Sequence, residues 1–239
     1  MPKANKAKNK IKPVGTLPNV PVVNLRVYDD SDTWTKPNNL SFITVEVIGG
    51  GGGGGAAGAA VGFSACAGGG GAGGRAVKRI LAADLGASET ITVGAGGDGG
   101  SPDIFIDEEG QPGGTSSFGK HVSASGGKGG DGVEPAASWQ VSESLGAGGI
   151  GLEGELNTVG AAGERGFSTG KNGLSGKGAD SPYGSGGRQV SDGNNGGNAM
   201  GHGAGGSGAA TADFTALNKK GGNGVSGLVI VWEWVRREA

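Results

Sequence analysis

Phe42-Ile43-Thr44-Val45-Glu46-Val47-Ile48 runs without a break into Gly49-Gly50-Gly51-Gly52-Gly53-Gly54-Gly55-Ala56-Ala57-Gly58. The first seven residues are largely β-branched and alternate in character, which predicts a strand. In the second stretch Gly49, Gly52, Gly55 and Gly58 open a series of glycines spaced three apart. The spacing recurs at Gly94, Gly97 and Gly100, at Gly126, Gly129 and Gly132, and at Gly160, Gly163 and Gly166. It returns at Gly170, Gly173 and Gly176, and at Gly221, Gly224 and Gly227. A period of three belongs to neither an α-helix nor a strand. It is the period of polyproline II, which turns once every three residues and makes no internal hydrogen bonds.

Two other readings of a glycine-rich chain compete with this one. With 58 glycines and 9 prolines in 239 residues, the composition reaches the low-complexity range. A flexible linker, however, needs no phase and carries no hydrophobic strands. Collagen needs one unbroken frame and abundant proline, whereas here the frame stops after two to four triplets. Short runs that stop and restart predict many short polyproline II helices from one chain, packed side by side. Their N–H and C=O groups cannot pair internally, so buried ones must pair with neighbouring runs. Gly94, Gly97, Gly160, Gly163, Gly166, Gly221 and Gly224 are the expected scaffold glycines, where a Cβ would push adjacent runs apart.

Reading outward from the central stretch, Val23 to Tyr28 alternates with period two. A polar turn containing Trp34 and Pro37 follows. Leu228-Val229-Ile230-Val231-Trp232-Glu233-Trp234-Val235 is a matching strand at the far end, expected to pair with the first segments. Val77 to Leu81 and Thr90 to Val93 are expected in the same sheet. The predicted fold is mainly β and irregular. A small β-base (23–48, 77–93 and 228–235) carries a sandwich of polyproline II helices over 49–227, forming one domain from 23 to 239. Residues 1–22 form an extended arm with Lys3, Lys6, Lys8, Lys10 and Lys12, suited to anchoring on an acidic partner.

Hydrophobic residues make up 34% of the chain and aromatics 5%, too few for a large apolar core. A formal net charge of −2 gives no general case for nucleic acid. One cysteine, Cys66, excludes an internal disulfide framework and reads as a small buried residue. No stretch has the apolar length of a membrane span, and the lysine-rich start does not resemble a signal peptide.

The order of motifs over roughly residues 30–235 resembles the glycine-rich domain of bacteriophage tail proteins. Asp32-Thr33-Trp34-Thr35-Lys36-Pro37 followed by Phe42 to Gly51 opens the resemblance. Thr90-Ile91-Thr92-Val93-Gly94-Ala95-Gly96-Gly97, Gly114 to Gly119 and Gly227 to Val231 continue it. That group includes the tip adhesins of T-even-like tail fibres, in which a polyproline II sandwich holds variable loops against the host receptor. The resemblance implies a virion surface protein made in the host cytoplasm. Implied partners are other virion proteins and a host glycan or outer-membrane protein. The chain lacks the sizeable N-terminal attachment domain of those adhesins, which leaves a capsid or tail decoration protein, or a short head fibre, anchored by the N-terminal arm as the alternative.

Loop inserts interrupt the glycine runs at 101–112, 133–145, 152–159, 179–183, 188–195 and 209–220. Phe105, Trp139, Tyr183, Arg188 and Phe214 in these inserts are the expected receptor contacts. The face or edge of Trp232 to Trp234 suits association, with a homotrimer in view.

Signals for enzyme chemistry fall short. Gly49, Gly51 and Gly54 after a strand match G-x-G-x-x-G, but no helix and no acidic residue follow at the required distance. The Gly-Lys pairs are never followed by Ser or Thr, so a P-loop lacks its Mg²⁺ ligand. One copy of a calcium nonapeptide surrounds Asp131, where stacked copies are needed. Asp131 is thus a lone calcium candidate, and no cofactor is expected. His121 falls in an alternating segment, Phe118 to Ala124, and His202 sits among glycines. Neither joins Cys66 in a recognisable spacing, and the expectation is a non-enzyme.

Overall fold

A computed structural model of the chain describes residues 21–101 and 108–236. The lysines of the arm and Phe105 lie outside the described residues. In chain order the strands are β1 (Val22–Tyr28), β2 (Asp32–Thr35), β3 (Leu40–Ile48), β4 (Arg75–Leu81) and β5 (Ser88–Thr92). Then come β6 (Ser116–Phe118), β7 (Val122–Ala124), β8 (Gln140–Val141), β9 (Gly151–Leu152) and β10 (Leu156–Thr158). The last are β11 (Phe167–Ser168), β12 (Gly173–Leu174), β13 (Tyr183–Ser185), β14 (Met200–His202) and β15 (Leu228–Val235). The protein is mainly β-sheet. Among the described residues the only helical element is a 3₁₀ turn, Ala82–Asp84, and no barrel closes.

Two five-stranded antiparallel sheets form the base. One has the order β1-β15-β3-β4-β10 and the other β2-β5-β6-β7-β9. The C-terminal strand β15 lies between β1 and β3, with Val231 opposite both Arg26 and Val45. Alternation turns Ile43, Val45, Val47, Ala76, Ile80, Val229 and Val231 inward, against Trp34, Ile91, Phe118, Val122 and Ala124 of the second sheet. The Trp34 and Phe118 rings meet at 5.5 Å in a tilted pair. This is the one sizeable apolar core among the described residues.

Three expectations need correction. Trp34 lies in strand β2, not in a polar turn, and is fully buried. Its polar neighbours Thr33 and Thr35 mask the alternation. The segment 88–92 pairs with β2 and β6, not with the terminal strands. Alternation marks Ile91 as buried but does not choose the sheet; the 3₁₀ turn carries the chain across to the second layer. Phe118 to Ala124 is a hairpin, not one strand. Gly119 turns with φ +50, and His121 sits at the turn with Nε2 3.2 Å from Glu89 Oε1.

Above the base the glycine runs stand side by side, alternating in direction. Run 49–57 shows their pairing rule. The N–H groups of Gly49, Gly52 and Gly55 donate to the carbonyls of Gly74, Gly71 and Gly68. Those of Gly50, Gly53 and Ala56 donate to Gly114, Gln111 and Glu108, and those of Gly51, Gly54 and Ala57 to Val225, Gly222 and Lys219. Each third residue therefore faces the same antiparallel neighbour. In return Gly97 and Gly100, Gly127 and Gly130, and Gly206 and Ala209 donate to carbonyls of this run from three parallel neighbours. The run is enclosed by six others. Run 67–74 is similarly enclosed, between runs near 49–55, 125–131, 146–149, 161–164, 176–179 and 203–209.

This packing explains the composition. Residues 49–58, 64–74 and 203–212 are buried throughout and consist only of Gly, Ala, Ser, Thr and Cys. An enclosed run needs small residues at every position, because all three of its edges meet backbone. A peripheral run needs them at one position in three. In 161–166, Gly163 and Gly166 are buried while Ala161, Ala162, Glu164 and Arg165 are exposed. A Cβ placed on Gly94, Gly97, Gly160, Gly163, Gly166, Gly221 or Gly224 would fall within 3.0 Å of a neighbouring carbonyl oxygen.

Candidate functional site

The alternation of direction sorts the loops onto two ends. Gly49, Gly74, Ser125 and Ile150 lie at the level of the base, as the bonds Gly49 to Gly74, Gly74 to Ser125 and Ser125 to Ile150 show. Gly58 and Val133 are bonded at the other end. The turns 58–64, 133–145, 166–173, 190–194 and 212–219 therefore gather far from the base, and both ends of the described chain belong to the base. This distal end is the candidate site.

Its loops are stitched to one another. Gly62 N–H donates to the Asp213 carbonyl and Asp213 N–H to that of Lys171. Ser64 and Ala136 exchange backbone bonds, and the Ser64 and Ser168 hydroxyls are paired. Thr211 Oγ1 donates to the Gly58 carbonyl and accepts from Ala65 N–H, while Asp192 Oδ1 accepts from Gly173 N–H. Backbone and small polar groups thus hold five loops as one surface, leaving the large side chains outside. Val61, Trp139, Phe214 and Leu217 are each at least two-thirds exposed. The antiparallel strands β8, β11 and β12 place Val141, Phe167 and Leu174 in one cross-strand row. The Trp139 ring meets Phe167 edge-on at 5.6 Å.

Of the residues expected to touch a receptor, Trp139 and Phe214 belong to this end; Arg188 lies partway along the run that leads to it, beside Gly197. Tyr183 does not. It lies in the β13–β14 hairpin at the base, hydrogen-bonded to Glu46, and burial together with that carboxylate raises its pKa. Phe167, Leu174, Val61, Phe63 and Leu217 were missed by sequence reasoning. Their signal was available: each is a large apolar residue in or beside a turn within a region otherwise built of small residues.

The site offers contact surface and little acid–base machinery. Burial raises the Cys66 thiol to about 12. The Asp131 carboxylate accepts from the Ser144 N–H, and among the described residues no group of three or more His, Cys, Asp or Glu side chains is placed to hold a metal. His202 Nδ1 contacts the Gly227 carbonyl at the base. A hollow of about 220 Å³ opens between Glu134, Gln140, Ser142 and Glu143. In it Gln140 Nε2 donates to the Glu134 carbonyl.

The chain belongs to a family defined by a glycine-rich domain, whose model matches residues 28–232. The match spans every described glycine run and most of the base, leaving out β1 before Tyr28 and β15 after Trp232. No curated protein matches the chain.

Proposed function

We propose that this is a non-enzymatic bacteriophage virion surface protein, an adhesin of a tail fibre or of another receptor-binding structure. The base attaches to the virion and the distal loops contact a host glycan or outer-membrane protein. The observation that carries this reading is polarity: the described chain begins and ends at the base, while bonded loops display large apolar side chains at the opposite end. Exposed aromatic residues suit stacking on sugar faces or filling receptor grooves. The resemblance to phage tail adhesins points the same way. We further read the glycine runs as polyproline II helices, supported by hydrogen bonds that return to the same neighbour every third residue.

The test is binding of purified protein to host cells, beside a variant with residues 133–145 replaced by a Gly-Ser linker. Saturable binding by the intact chain, lost in a variant that still folds, supports an adhesin acting through this loop. The second reading, a decoration protein, is favoured by the lysine arm that precedes the base. It predicts no cell binding and tight association with virions stripped of the protein.

A further inference from the structure

We propose that the base also joins two copies of this chain, through antiparallel pairing of β1 with its two-fold mate. The proposal holds whether the protein is an adhesin or a decoration protein.

Among the described residues strand β1 is an edge of its sheet, and six of its seven residues are exposed. Val23, Leu25 and Val27 point to the outer face, each about half exposed. They stand opposite Trp234, Trp232 and Ile230 of β15. On the same face Phe42 stacks on Trp234 at 4.6 Å and Arg79 lies 3.9 Å from the Phe42 ring centroid. Leu81 and Leu156 continue the apolar surface. Exposed edge strands are ordinarily blunted by proline, bulges or rows of charge, since they template pairing. β1 has no proline, pairs with β15 in unbroken register, and carries one charge, Arg26.

A second copy fits this edge in both apolar pattern and charge. With the axis at Leu25, Val23 faces the partner's Val27 and Leu25 faces the partner's Leu25, so the apolar row runs on across the seam. On the inner face Arg26 meets the partner's Asn24 and not another arginine. Pairing of the two edges makes one sheet from two five-stranded ones.

Sedimentation across a range of concentrations reads the assembly, and Leu25→Cys reads its register. Directly opposed residues of an antiparallel pair have Cα atoms about 4.5–5.5 Å apart, within disulfide reach. Leu25→Cys should therefore oxidise to a covalent dimer, while Val22→Cys, which lies opposite Tyr28 of the mate, should not link to itself. The buried native Cys66, raised to about 12, stays out of the reaction. Leu25→Asp should fold normally, because the site is exposed, and weaken the dimer roughly tenfold or more by setting like charges face to face. A monomer at every concentration, a trimer, or equal cross-linking at positions 22 and 25 would overturn the proposal.

Discussion

At the scale of single residues, glycine here is a spacing device more than a source of flexibility. Gly163 lies on a peripheral run, with its N–H donating to Gly146 and its Cα against the Gly69 carbonyl. The obstacle is backbone on both sides, so nothing can rotate out of the way. Gly163→Val should destabilise the protein by at least ~3 kcal/mol, beyond ordinary overpacking. The neighbouring exposed Ala162→Val should stay within about 0.5 kcal/mol. Thermal or urea unfolding of the two variants checks this, and equal stability would contradict close packing. Glu233 makes a different residue-level case. Its fully buried carboxylate accepts from Trp34 Nε1 at 2.8 Å and Arg26 Nε at 2.6 Å. Glu233→Ala leaves the Trp34 N–H without its acceptor, an expected loss of about 1–3 kcal/mol, while half-exposed Arg26 rehydrates. Glu233→Gln retains an acceptor and should cost less, as chemical denaturation would show.

At the scale of elements, run 64–74 is enclosed on every side, so its atoms meet solvent only when neighbouring runs separate. Cys66 reports this. Its thiol is held near 12, against an ordinary cysteine value of about 8.5. Since the raised value belongs to the folded state, the stability it contributes is complete below the ordinary value. That stability is lost as pH rises through about 12. Alkylation at pH near 8 should be slow in the native protein and fast in urea, with a rate that follows opening. Rapid native labelling would mean the enclosed runs are loose. The pairing of terminal strands was legible in their alternation, as was the period of three. The membership of β2 and β5 in the second sheet was not: alternation identifies a buried face but not the layer that buries it.

At the scale of the whole molecule, alternating runs divide the surface into a base and a tip. Tyr183 and Trp139 look alike in sequence, as aromatics within inserts, yet stand at opposite ends because an even or odd number of runs separates their loops from the base. Loop replacement at 133–145 tests the tip, and cross-linking at Leu25 tests the base, so the two can fail separately. By itself the sequence determined that strands would frame a small-residue scaffold, because backbone pairing at close range tolerates little beyond glycine and alanine. Only the tertiary structure decided which glycine runs are enclosed and which loops share the tip. Those outcomes depend on hydrogen bonds between runs up to about 170 residues apart, such as Gly51 with Val225, and no local pattern records them.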